Sequence, residues 1–569
     1  LPAIVVFVAV LSLFALAYRF YASYLAEKVY ALDPDFVTPA HEFEDGVDYV
    51  PTNKHVLFGH HFTSIAGAAP IVGPSIAVVW GWLPALMWIV AGTIFAAGVH
   101  DTGSLVVSVR NKATNIGTLA QSVINPRSRT LFLAIIFFLL TLVNAVFGIV
   151  IGILFTSNPE AVIPITLEIP LAIFIGQYIR RTNTSALVPS IVGVIVLYAL
   201  ILVGKAVPVD ITPLAEALGM SARTLWILLL FAYGWIASRL PVWVLLQPRD
   251  YINSHQLFIA LGVIGLGVII GFDTIAAPAF NSVGGSRNWF PFLFVTIACG
   301  AVSGFHSLVS SGTTSKQLDR DTDAKYVGYM GSLGEGSLAL GAVLATTAGI
   351  GIVGLDWNEQ YADFATASDG ALGNFVQGVA GFASNLGVPV EYGTIFAAVV
   401  VISFAATTLD TGIRLQRYII QEIGEIAGNR TLSQNINLAT TLAVLFPLGL
   451  ALAPAGGDGD TLAFGRLWTL FGTTNQLTAG LALAVIAVWV TKNGRSAMAQ
   501  IVPLAFLLFM TVWALVINLR EFVSTGDWLL APLDLAILLL AGWLIVEAVL
   551  AIRGARTDAG QQVESPAEK

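Results

Sequence analysis

Fifteen apolar runs, each of about 18 to 28 residues, follow one another almost end to end along this chain. A helix rises about 1.5 Å per residue and the hydrocarbon core of a bilayer is about 30 Å thick, so each run is long enough to cross it. The pattern excludes most architectures, because backbone surrounded by lipid must satisfy its own hydrogen bonds, as a helix does. It predicts an all-α polytopic membrane protein with about fifteen transmembrane helices. They fall near 1–19, 58–80, 84–109, 130–155, 161–179, 187–206, 222–247, 255–278, 289–311, 327–355, 389–413, 435–453, 466–490, 499–519 and 526–552. Charged residues make up 11% of the chain against about 25% in an average soluble one, which leaves little material for a soluble domain. One transmembrane domain over 1–556 is expected, then a polar, disordered cytoplasmic tail at 557–569. The stretch 1–18 lacks the basic flank and cleavage site of a signal peptide and is expected to be the first span.

Basic residues orient the bundle, since cytoplasmic loops are rich in Lys and Arg. With the N-terminus outside, 21 of the 27 basic residues fall on inside segments. Only Lys205, Arg223, Arg287, Arg466 and Arg520 fall outside, and Arg239 lies within a run. The stretch 356–388 carries Asp356, Glu359, Asp363 and Asp369 without Lys or Arg, as an outer loop would. The expected topology is N-out and C-in. No basic block is present to bind nucleic acid, and the lone Cys299 excludes an internal disulfide. No phosphate-binding loop or nucleophile–base pair stands out, so neither ATP hydrolysis nor other enzymatic catalysis is expected.

An internal repeat emerges from short matches. Gly59-His60-His61 is followed by Gly67, and Gly304-Phe305-His306 by Gly312, at an offset of 245 residues. Leu225-Trp226 and Leu467-Trp468 repeat at an offset of 242. Seven runs separate the two starts, and an odd number inverts topology. Inverted repeats, here about 58–278 and 289–552, are typical of secondary transporters, whose substrate site lies at the repeat interface.

The candidate chemistry sits in these motifs. GHHFTSIAGAAPIVGP, from Gly59 to Pro74, concentrates Gly and Pro in one span. It reads as a broken helix whose free carbonyls and helix N-terminus hold an ion or a carboxylate, or as close packing through small residues. SGFHSLVSSGTT, from Ser303 to Thr314, has the same character. Thr407 and Thr408 with Asp410 supply oxygen ligands for a hard cation, and Asp410 is also a proton carrier by type. Its nearness to Arg414 equally fits an interfacial ion pair. His60, His61, His100, Asp101 and His306 have the side chains of a metal site, a proton relay or a structural hydrogen-bond set. Adjacent residues on a helix point about 100° apart, so His100 and Asp101 are not expected to serve one site fully. Arg239 must pair with a buried carboxylate or face water, and it is placed either to hold a substrate carboxylate or to pair inside the bundle. Gln247-Pro248-Arg249-Asp250-Tyr251 reads as a helix end, and Asn475 and Gln476 need partners within their apolar run.

The blocks HVLFGHHFTSIAGAAPIVGPSIAVVWGWLPAL, LPVWVLLQPRDYINS, CGAVSGFHSLVSSGTTSKQL, TTLDTGIRLQRY and LWTLFGTTNQL closely resemble the carbon starvation protein A family. The resemblance implies a bacterial inner-membrane protein of the amino acid–polyamine–organocation superfamily, with a LeuT-type inverted repeat. It implies an ion-coupled symporter importing pyruvate or short peptides during nutrient starvation. The residues expected to line the substrate are His61, Ser64, Gly67, Ala68, Phe305, His306, Ser310 and Ser311. Those expected to couple the ion are Ala66, Gly67, Thr407, Thr408 and Asp410, where Thr407 and Thr408 match the hydroxyl ligands of sodium-coupled relatives. No cofactor is expected beyond the coupling proton or sodium ion, and no structural metal. Peptides need charged partners for both termini, and buried acids are scarce in the runs, which leans toward a monocarboxylate over a peptide. A membrane sensor that binds a nutrient without moving it is the reading from another class.

Overall fold

The computed structural model describes residues 1–46, 48–182, 184–241, 243–282, 287–453 and 464–564. The described residues build helices and no strand beyond two isolated bridges. In chain order the main helices are α1 (Ala3–Val29), the bent pair α2 (Lys54–Ile65) and α3 (Ala69–Trp80), α4 (Trp82–Arg110) and α5 (Pro126–Ser157). Next come α6 (Pro159–Thr182), α7 (Leu187–Ala206), α8 (Ala222–Ala237) and α9 (Leu246–Gly271). Two short helices, α10 (Trp289–Thr296) and α11 (Phe305–Gly312), precede α12 (Asp321–Ile352). The remainder are α13 (Phe364–Ser384), α14 (Val390–Ile426), α15 (Ile436–Ala451), α16 (Phe464–Lys492), α17 (Met498–Thr525) and α18 (Leu530–Glu564). Of the tail expected from 557 onward, 557–564 continue α18 and 565–569 lie outside the described residues.

Among the described residues, eleven helices are long and apolar enough to cross a membrane, or twelve spans if α2 and α3 count as one. The sequence expectation of about fifteen also enlists α8 and α15, which are shorter, and the 289–311 run, which is interrupted. Burial separates inner from outer helices. The most apolar stretch of α16 is 94% buried by protein, whereas that of α18 is 28% buried and turns Leu539, Val546 and Leu550 outward. Such outward apolar faces are stable only against lipid, so the chain is a multi-pass membrane protein.

Three boundaries move from their sequence positions. The 389–413 run extends to Ile426, because Arg414 reaches the carbonyls of Ala237 and Leu240 at 3.1 and 2.6 Å and the helix carries its charges into partners. The 222–247 run ends at Ala237, and the next helix starts at Leu246 with Pro248 in its first turn, where a missing N–H costs little. The third is 356–388, expected as a loop, which contains the 21-residue α13. Asp363 caps it by accepting from Thr366 N at 2.8 Å. Phe364 at its start rests on Trp80, while Asn385 just past its end bonds Gly267 O and Asp273. Those partners share one end of the bundle, where residues 274–281 join α1, α3 and α4, so α13 lies across that end. Its Gly, Ala and Ser content hid it from a hydropathy reading.

Both motif-bearing runs are broken. α2 and α3 meet at 52°, with Ala66 at φ −82° and ψ 67° and Pro70 at the start of α3. The second run unwinds at Val302–Gly304 between a short turn at Ala298–Ala301 and α11. Unwound backbone at membrane depth must find partners in protein. Here α16 supplies them: Asn475 Oδ1 accepts from Phe305 N at 3.2 Å, Trp468 Nε1 donates to Thr296 O at 3.1 Å, and Gln476 Nε2 donates to Phe294 O at 2.8 Å. Gly304 has no alternative, since a Cβ there would lie 2.5 Å from Asn475 O and 2.6 Å from Ala479 N. Val302 follows Ala66 by 236 positions, so the two breaks are in a different register from the 245-residue motif match.

Candidate ion-coupling and substrate site

α2 packs against α9 and against α11 and α12, and a buried polar cluster lies toward each. On the α12 flank the centre is Asp101 of α4. Its Oδ1 lies 2.7 Å from His100 Nδ1, and its Oδ2 is 2.9 Å from His306 Nδ1 and accepts from Ser332 Oγ at 2.6 Å. The other nitrogen of His306 lies 3.2 Å from Glu335 Oε1, at ion-pair distance but without hydrogen-bond alignment. His306 opens α11 just after the break, and Glu335 sits near the middle of the 32-residue α12. Asp101, His306 and Glu335 are each no more than 1% exposed. The side chains of His100 and Asp101 do meet, contrary to the helical-wheel expectation, because the two polar ends curl toward each other beside α12. His61 is also buried, with Nδ1 2.9 Å from Thr314 Oγ1 and its ring against Gly331, next to Ser332.

A neutral imidazole has one N–H, and His306 has a carboxyl group at each nitrogen. One ring N–H serves only one of the two carboxyl groups, and protonation of His306 or of Glu335 would serve both, so the cluster has the side chains of a proton relay.

On the α9 flank the cluster is built along α14. Ser403, Thr407 and Asp410 fall at spacings of four and three and share a face. Ser403 Oγ donates to Glu168 Oε2 at 3.0 Å, Asn253 Nδ2 donates to Thr407 Oγ1 at 2.6 Å, and Asp410 Oδ2 takes Tyr233 OH and Arg249 Nη1, both at 2.8 Å. Arg249 Nε lies 3.4 Å from Glu168 Oε1. Asp410 is thus a buried, mid-helix partner of Arg249, not the interfacial partner of Arg414. Arg239 is exposed and stacks over Trp235 at 4.5 Å, so of the two arrangements expected for it the one facing outward holds. Buried carboxyls are plentiful: Asp101, Glu168, Asp250, Glu335, Asp410 and Asp534 are all enclosed, which removes the argument from scarcity against a peptide substrate.

The profile of the family described as carbon starvation protein CstA matches residues 2–352 and 356–514. The chain belongs to that family. It is 33% identical over 572 residues to the peptide transporter CstA of Campylobacter jejuni, covering 90% of this chain and 79% of that one. It is 31% identical over 604 residues to the pyruvate/proton symporter BtsT of Escherichia coli, covering 91% and 82%. Among solved structures it aligns with a mutant manganese transporter of Eremococcus coleocola at 13% identity and a TM-score of 0.43, covering 90% of this chain and 99% of that chain.

Within this member of the CstA family, the residues singled out from sequence divide in three. Ala66, Gly67 and Ala68 form the α2–α3 break, and Gly67 touches α14: a methyl there would lie 2.7 Å from Thr408 Oγ1. Thr407, on the next face, is committed to Asn253. His61, Phe305 and His306 border the break and the Asp101 cluster. Ser64 and Ser311 return their hydroxyls to their own helices, to His60 O at 2.8 Å and Ser307 O at 2.6 Å, while Ser310 Oγ has no protein partner. Glu335, Ser332, Glu168, Tyr233 and Asn253 were not marked by motif. Glu335 and Glu168 carried the same signal as Asp410, a carboxylate inside an apolar run.

The Gly67–Thr408 contact yields a paired test. Gly67→Ala is expected to destabilise the protein by about 1–3 kcal/mol and to slow transport, because the methyl overpacks the junction. Thr408→Ala in the same protein removes the obstructing hydroxyl and is expected to restore most of both losses. Additive losses in the double variant, read by unfolding and uptake, would place the two residues apart.

Proposed function

We propose that this protein is a proton-coupled secondary transporter that imports a carboxylate-bearing nutrient, pyruvate or a short peptide, across the bacterial inner membrane during nutrient starvation. The observation that carries this reading is the Asp101–His306–Glu335 chain, which joins three helices beside a broken one and sets a carboxyl group at each ring nitrogen of a buried histidine. An intramembrane carboxylate chain with a histidine between is what a proton relay requires. The names of the relatives support both substrates, and a carboxylate is the group that pyruvate and a peptide C-terminus share.

The reading extends to architecture. The two broken runs support a LeuT-type inverted repeat of the amino acid–polyamine–organocation kind, within one transmembrane domain of about fifteen crossings. The distribution of Lys and Arg supports an outside N-terminus and a cytoplasmic C-terminus. Alternating access then exposes the break first to one side and then to the other. The chain is read as a carrier and not an enzyme, needing no cofactor beyond the coupling ion.

The test is uptake of labelled pyruvate and of labelled dialanine into liposomes holding purified protein, with proton and sodium gradients imposed separately. Accumulation under the proton gradient alone is expected. Accumulation under sodium alone would sink the proton assignment and move coupling to the Gly67–Thr408 contact. No uptake of either compound by folded protein would leave the sensor reading.

A further inference from the structure

The relay leaves a second set of buried charges unused. Arg249 is 1% exposed, whereas the Arg417 residue and the Arg287 side chain are each 7% exposed. Arg417 lies two turns past Asp410 on α14, against the ring of Tyr418 at 4.6 Å, and Arg287 is taken by Glu521 and Thr469 Oγ1, both at 2.9 Å. Arg249 is thus the most enclosed of the three, on a helix that packs against α2. We propose that Arg249 anchors the carboxylate of the transported substrate, and that Asp410 is an internal stand-in occupying the guanidinium until substrate displaces it. This rests on the reading of the protein as a carboxylate carrier.

The geometry is that of an exchangeable pair. A guanidinium presents five donors in a planar fork, and its strongest complex with a carboxylate uses two parallel hydrogen bonds. Arg249 gives Asp410 a single bond from Nη1, at 2.8 Å, while Nε faces Glu168 at 3.4 Å without hydrogen-bond alignment. Asp410 Oδ1 and Glu168 Oε1 likewise have no aligned partner. The fork is therefore only partly used, and a free carboxylate has a better complex to gain. Asp410 does not lose all support when displaced. Tyr233 OH already holds its Oδ2 at 2.8 Å, and Arg414 lies one turn further along the same helix.

Position and charge agree with this role. One turn beyond Arg249 on α9, Asn253 ties that helix to Thr407, and the neighbouring Thr408 touches Gly67 at the break. Any movement at the α2–α3 junction is felt at once by the helix that carries Asp410. Glu168, Asp250 and Asp410 already set three carboxyl groups around Arg249, with Tyr233 and Arg414 as the other titratable neighbours. A further anion enters such a cluster only if its charge is balanced. The proton taken up by the Asp101–His306–Glu335 relay supplies that balance, one proton for each carboxylate.

The experiment compares wild type, Asp410→Asn, Arg249→Gln and the charge-neutral pair Arg249→Gln with Asp410→Asn, in liposomes under a proton gradient. Labelled pyruvate is the substrate, or labelled dialanine if that is what the wild type carries. Asp410→Asn removes the competitor for Arg249 and is expected to lower KM by about tenfold while slowing turnover. A purely structural ion pair predicts the reverse, and an unchanged or raised KM for Asp410→Asn overturns the proposal. Both Arg249 variants are expected to raise KM by about 10- to 100-fold, the loss of a charge-assisted hydrogen-bond pair. The paired variant keeps the net charge of the cluster and leaves Glu168 its bond from Ser403 Oγ, and its unfolding curve separates a loss of anchoring from a loss of folding. An unchanged KM in it, with wild-type unfolding, overturns the proposal as well. In the wild type, pyruvamide is expected to compete at least about tenfold less well than pyruvate, whereas equal competition overturns the anchor. A wild type that accumulates neither substrate fails one step earlier, at the carrier reading itself.

Discussion

Glu335→Gln protein exchanges labelled for unlabelled substrate across the liposome membrane but no longer accumulates it when a proton gradient is imposed. This is the largest effect expected of a single change in the molecule. A pH step of one unit stores about 1.4 kcal/mol per proton, enough for about a tenfold accumulation ratio if one proton accompanies each substrate. Glutamine keeps the volume of Glu335 and its amide can donate to Nε2 of a neutral His306, so the packing around α11 and α12 is preserved. It cannot carry the proton. The ratio is therefore expected to fall to about one, while counterflow, which needs no net proton movement, persists. Accumulation at the wild-type ratio would remove Glu335 from the relay. Asp101→Asn is a harsher change, since Asp101 meets three donors and its loss disturbs folding as well as coupling.

Asn475→Leu is expected to lower stability by about 2–4 kcal/mol, read by unfolding in mixed micelles containing SDS. The side chain is of similar size, but its polar end has three contacts at the second break. Besides Phe305 N it meets Ser303 Oγ at 3.1 Å and Cys299 Sγ at 2.9 Å, and none of these is near water. Leucine leaves a helix-terminal N–H unsatisfied where neither lipid nor solvent can replace the acceptor. Thr473→Val, two residues earlier on α16, is the control. Thr473 returns its hydroxyl to Leu470 O of its own helix at 2.8 Å, so its loss is expected to cost less than about 1 kcal/mol. Equal unfolding of the two variants would mean that Asn475 does not hold the break together.

The contrast between these residues shows how far sequence reasoning reaches. Asn475 and Gln476 advertised an unmet need, two amides in an apolar run, and the need is met where the second broken run passes them. The breaks themselves were legible at GHHFTSIAGAAPIVGP and SGFHSLVSSGTT, since Gly and Pro act on the backbone at their own position. Their register was not: the repeated His motif offers an offset of 245, whereas the unwound residues are 236 apart. α13 was missed for a related reason. Its helix is closed by Gly and Ala packing against α12, as at Gly378 beside Ala345, and such contacts need no hydropathy.

That this chain is a bundle of membrane-crossing helices is written in its residues, because run length and backbone satisfaction in lipid are local requirements. So are the places where helices fail and the residue types that stand at the failures. Which charges meet is settled by the packing of the helices. Asp101, His306 and Glu335 come from three helices, and Glu168, Tyr233, Arg249 and Asp410 from four. Each was visible as a costly group in an apolar run, but a buried charge is made stable by its partner across space, and the choice of partner is set by how the helices pack.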